Sequence, residues 1–62
     1  MKSVEIKLHL TDEEAFEFAT FLKRAGFSDY RSCATDFVAA HRMLAAGERI
    51  REALGRAGYD PS

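Results

Sequence analysis

"VEIKLHL" (residues 4–10) alternates apolar and polar side chains without a break. Val4, Ile6, Leu8 and Leu10 would fall on one side of an extended chain, with Glu5, Lys7 and His9 on the other. Alternation at period two predicts a half-buried β-strand over about 4–10. A single strand leaves backbone N–H and C=O groups open along both edges. Nothing else in the sequence reads as a strand. The expected solution is the same segment from a second copy, paired antiparallel about a two-fold axis. Val4, Ile6, Leu8 and Leu10 are then the dimer strand, and the expected class is α+β: one N-terminal strand followed by two helices.

Outward from the strand, Thr11 precedes Glu14 by three residues, the spacing of a capping box. Asp12 and Glu13 add negative charge at the positive end of the helix dipole. Helix is expected over about 12–25. "RAGFSD" (24–29) follows, and "RAGYD" (56–60) nearly repeats it. Both read as helix stops. Basic residues sit in the last turn, glycine takes the left-handed conformation, and an aromatic folds back onto a leucine. Phe27 would return to Leu22, and Tyr59 to Leu54. Between the stops, Ser28 could cap a short turn of helix over about 28–34. Ser32 or Thr35 could open the long helix over about 36–57, with Asp36 in its first turn.

The chain of 62 residues is one domain, 1–62, and at this size only about 60% of the unfolded surface is buried. Scaffolds so small usually need a disulfide, a metal or a second subunit. Cys33 is the single cysteine, which excludes an internal disulfide and fits a reducing compartment. His9, Cys33 and His41 lack metal-ligand spacing, so no metal and no cofactor is expected. Association is the route left, and a homodimer is the expected state. A formal net charge of −1 and a pI near 6.1 disfavour nucleic acid as a partner. No apolar run approaches the roughly 20 residues a membrane span needs. "MKSVEIKLHL" lacks a signal peptide's apolar region, so a cytoplasmic location is expected.

At 100° per residue, the first helix should bury Ala15, Phe18, Ala19, Phe21, Leu22 and Ala25. Phe16 points about 160° away from Phe18. It packs against its own chain or offers a contact to a partner. Asp12, Glu13 and Glu17 flank it in an acidic run. Tyr30 and Arg31 follow the first stop, in a polar knot that is either turn chemistry or part of a binding surface. These six residues are the candidate protein-binding set. In the long helix Ala39, Ala46 and Ala53 recur every seven residues beside Ala40, Gly47 and Leu54, a seam that lets another helix approach closely. Arg42, Arg49 and Arg56 repeat at the same interval on its polar back. No phosphate loop and no nucleophile–base set is spaced to be read from sequence, and no catalytic residue is assigned. Cys33 reads as a small buried hydrophobe and the histidines as surface residues.

Two resemblances bear on function. Strand, capped helix, then "GFS" and more helix resembles the ribbon-helix-helix repressors, whose paired strands enter the DNA major groove. That resemblance implies Glu5, Lys7 and His9 as base readers and Ser28 near phosphate. "FLKRAGFSDYR" (21–31) with "ERIREALGRAGYDP" (48–61) is similar, over nearly the whole chain, to short uncharacterised proteins of proteobacteria and their prophages. It implies a phage or mobile-element setting and brings no activity of its own. In that setting the expected role is a small non-enzymatic protein–protein interaction module that binds and blocks a host protein, such as a defence component. A dimeric DNA-binding regulator is the alternative.

Overall fold

The computed structural model describes residues 2–61. Three helices follow one another: α1 (Asp12–Arg24), α2 (Phe27–Cys33) and α3 (Phe37–Arg56). Both α1 and α2 pack on α3 and not on each other. The protein is all-helical. Residues 2–11 form neither helix nor strand, and there is no strand or sheet among the described residues.

This overturns the α+β expectation and, with it, the ribbon of Val4, Ile6, Leu8 and Leu10. Val4, Ile6 and Leu8 are 82%, 76% and 68% exposed, and Leu10 is 42% exposed. The reason is physical. Period-two patterning says which side chains would share a face of a strand. It does not supply the second row of N–H and C=O groups that makes one, and an isolated strand has no stability of its own.

α1 begins as its capping box dictates. Thr11 Oγ1 accepts from the Glu14 amide at 3.0 Å, and Glu14 Oε1 accepts from the Thr11 amide at 2.9 Å. The two glycine stops then diverge. At the second, Gly58 has φ 105°, the left-handed value that favours glycine. Its amide donates to the Gly55 carbonyl at 3.0 Å, and the Tyr59 amide to the Leu54 carbonyl at 2.8 Å. That is the paired bonding of a Schellman stop. At the first, Gly26 has φ −99° and caps the start of α2. Asp29 Oδ2 accepts from the Gly26 amide at 2.8 Å, which opens a new helix at the point where a stop was expected. Gly58 is followed by Tyr-Asp-Pro, with no carboxylate three residues on, and the chain stays stopped. α3 is capped by Asp36 itself, whose Oδ1 accepts from the Ala39 amide at 2.7 Å.

The core is small. Ala15, Ala19 and Leu22 of α1 meet Leu54 of α3, and Tyr59 packs against them from beyond the stop. Ala40 and Gly47 are buried further along α3. Tyr30 of α2 lies so close over Gly47 that a Cβ there would come within 2.2 Å of its hydroxyl. Phe27 meets Phe37 and His41, with ring centroids 5.4 and 4.7 Å apart, and joins α2 to the start of α3. Of the face predicted for α1, Phe18 and Phe21 are 42% and 56% exposed, not buried. They stack on each other instead, and it is Tyr59 that packs against the core. Cys33 is exposed, where a buried role was expected.

Candidate partner-binding surface

The acidic run splits by what each carboxylate does. Glu14 is consumed by the cap. Asp12 accepts from the Tyr59 hydroxyl, a bond spanning the chain from α1 to the segment after α3. Lys23, on the same helix, donates to the Pro61 carbonyl. Together these bonds clasp residues 59–61 along α1. Glu13 and Glu17 make no side-chain hydrogen bond or salt bridge among the described residues. Both are exposed.

Phe16 is 51% exposed. It shares a shallow pocket with Glu17, Thr20, Lys23, Asp60 and Pro61. The residues from outside α1 that share this pocket with it are Asp60 and Pro61, of the C-terminal segment. Half of the ring is left to solvent. Glu13, Phe16 and Glu17 form the part of the candidate set that α1 offers outward together.

Tyr30 and Arg31 separate from them. Tyr30 is half-buried against Gly47 and serves to dock α2. Arg31 is exposed in the last turn of α2, where a cation suits the helix dipole. The residues implied by the ribbon-helix-helix resemblance are also dispersed. Glu5, Lys7 and His9 are exposed on an unpaired arm, and Ser28 sits in the first turn of α2. The paired strands that would carry such readers into a groove are absent among the described residues.

Sequence patterning missed the second surface feature. A cleft of about 650 Å³ opens between α1 and α2. Phe21, Arg24 and Glu17 line one wall, Tyr30 and Cys33 the other, and Met43 of α3 reaches in. Phe18 stacks on Phe21 with centroids 5.7 Å apart and planes 16° from parallel. The signal was present in the breadth of the apolar face of α1, which is wider than one neighbouring helix can cover. Among the described residues no three His, Cys, Asp or Glu side chains cluster as metal ligands do. No described helix is long and apolar enough to cross a membrane.

The model of a family of unknown function, DUF7706, matches residues 1–62. This chain belongs to DUF7706. The match spans all of the sequence, including the arm, so the exposed apolar residues of positions 4–10 lie inside the DUF7706 region. No curated protein and no solved structure matches the chain. The resemblance to an uncharacterised family over nearly the full length therefore stands, and DUF7706 brings no activity with it.

The Tyr59–Asp12 bond has a pH signature. The carboxylate accepting its hydroxyl proton raises the Tyr59 pKa above 10.0, with smaller contributions from desolvation and from the charges of Asp12 and Glu13. A raised folded-state value stabilises the fold below the unfolded pKa. That contribution is lost as pH rises through the folded value. In a Tyr30→Phe background, which leaves one tyrosine, ultraviolet titration is expected to give a Tyr59 midpoint above that of a model phenol. Asp12→Asn should return it toward the ordinary tyrosine value. A midpoint unchanged by Asp12→Asn would show that the clasp does not form.

Proposed function

We propose that this chain is a small non-enzymatic protein–protein interaction module that modulates a host protein in a phage or prophage setting, with Phe16, Glu13 and Glu17 as its contact centre. One observation carries the reading. Among the described residues five hydrophobic side chains are buried, three of them alanine, while Val4, Ile6, Leu8, Phe16, Phe21 and others of their size stand in solvent. Exposed apolar surface on this scale in a small protein marks surfaces that associate. Large aromatics are the residues that most often anchor an interface, with charged residues at the rim. Phe16 between Glu13 and Glu17 has that composition, and fits a partner patch that is apolar at its centre and basic around it. The setting rests on the resemblance to short proteobacterial and prophage proteins.

The test is affinity capture from a proteobacterial host lysate, followed by titration of the recovered protein. Phe16→Ala is expected to weaken binding by about tenfold or more, the loss of an anchor worth over 1 kcal/mol. Glu13→Lys with Glu17→Lys should slow association and reduce its salt dependence. Asp12 and Glu14 are left alone because they hold the fold. Binding that is indifferent to all three changes would refute this contact centre. A salt-dependent shift of duplex DNA without any captured protein would refute the module reading in favour of a regulator.

A further inference from the structure

The flank opposite Phe16 is also uncovered. Phe18 and Phe21 are stacked on α1, Phe21 and Met43 share the cleft, and Ile50 lies two turns beyond Met43 on the same side of α3. Phe18, Phe21, Met43 and Ile50 are 42%, 56%, 37% and 44% exposed. They form one apolar strip that crosses from α1 to α3, with Glu17 and Arg24 at its edge.

We infer that this strip is the seat of a second copy of the same chain, in a two-fold dimer built helix against helix. Three considerations select that occupant. The first is area. The chain exposes 5352 Å². A compact monomer of 7.0 kDa exposes about 4,000 Å². The surplus of about 1,300 Å² exceeds the roughly 800 Å² that each partner yields in a standard interface. The radius of gyration agrees: 12.5 Å, against about 10.5 Å for a compact chain of this length. The second is stability. A core of five side chains leaves a 62-residue fold in need of help whenever it exists, and its own copy is the partner present at every concentration of itself. The third is charge. A two-fold contact brings a patch against itself, so its rim must carry both signs. Glu17 and Arg24 supply one of each.

The dimer leaves Phe16 and Glu13 outside the seam, so it would present two copies of that pair, while Glu17 borders both the seam and the Phe16 pocket. The dimer does not depend on the identity, or the existence, of a host partner.

Sedimentation equilibrium of the full chain at low micromolar concentration is expected to give twice the 7.0 kDa chain mass. Ile50→Glu should lower the association constant by at least about a hundredfold, since a charge would be buried at the seam. Because breaking the dimer can unfold the chain, a second measurement fixes the face. In a Cys33→Ser background, Ile50→Cys is expected to cross-link into covalent dimers with a short bis-thiol reagent. Glu52→Cys, on the other side of α3, should not. Phe16→Ala should leave the dimer intact. A folded monomer would overturn the inference, and so would a dimer that cross-links through Glu52→Cys and not Ile50→Cys.

Discussion

Leu54→Ala is expected to remove about half or more of the stability of the fold. Leu54 is 8% exposed and is the single large side chain that α3 contributes to the cluster with Ala15, Ala19 and Leu22. Truncating a buried leucine costs about 2–5 kcal/mol. A chain of this length has on the order of 3–9 kcal/mol of stability in all. The other members of the cluster cannot compensate. Ala15 and Ala19 have no longer side chain to shift into the void. Tyr59 is tied by its hydroxyl to Asp12. Loss of Leu54 also removes the apolar partner of the Schellman stop, so the clasp of residues 59–61 should fail with it. Urea denaturation followed by far-ultraviolet circular dichroism checks this, with Val4→Ala as the control. Val4 is 82% exposed, and its truncation should change stability by no more than about 0.5 kcal/mol in the isolated chain. If the two variants melted alike, the core would be misassigned.

Gly47→Val is the second large effect. The closest atom to a new Cβ would be the Tyr30 hydroxyl at 2.2 Å, followed by ring carbons at 3.1 and 3.4 Å. A tyrosine ring is rigid beyond two torsions, so it cannot fold its tip aside as a lysine would. The ring must leave, and α2 with it. Overpacking of this kind costs about 1–3 kcal/mol, and valine's two extra methyls belong at the upper end. Gly47→Ala is milder, because alanine returns about 1 kcal/mol of helix propensity. Tyr30→Phe discriminates between crowding and other causes. It removes the atom at 2.2 Å, so Gly47→Ala should cost less in that background than in the parent. Hydrogen exchange gives the location: amides of α2 should lose protection while those of α1 keep it. Uniform loss across all three helices would mean that α2 is not a separate docking unit.

How far the fold could be read beforehand depended on whether the signal was local. The capping box at Thr11 and the stop at Gly58 are complete within six residues, and both formed as their spacing required. At Gly26 the expected stop is kept, α1 ending at Arg24, but not the expected device, because two local signals overlapped. Asp29 three residues on could cap a new helix, and that competed with the return of Phe27 to Leu22. The segment 4–10 failed for another reason. Its alternation is a statement about one chain, whereas a strand is a relation between two. Phe18 and Phe21 fall between these cases. Their angular position on α1 was legible, but their burial depended on how much protein lies opposite, which no helical wheel contains. Of the candidate surface, Phe16 and the acidic run were visible from periodicity and charge. That Asp12 and Glu14 are structural, and Glu13 and Glu17 free, required knowing where Tyr59 ends up.

That long-range bond has a consequence for how the protein is made. Tyr59 and Asp12 are 47 residues apart in sequence. During translation, α1 is synthesised before its packing partners Leu54 and Tyr59 exist. A 13-residue helix alone sits near the length at which helices cease to hold in water. The nascent chain therefore carries Ala15, Ala19 and Leu22 uncovered, beside the exposed Phe16, Phe18 and Phe21, until nearly the whole sequence has emerged, and unfinished segments of this kind are what cellular chaperones engage.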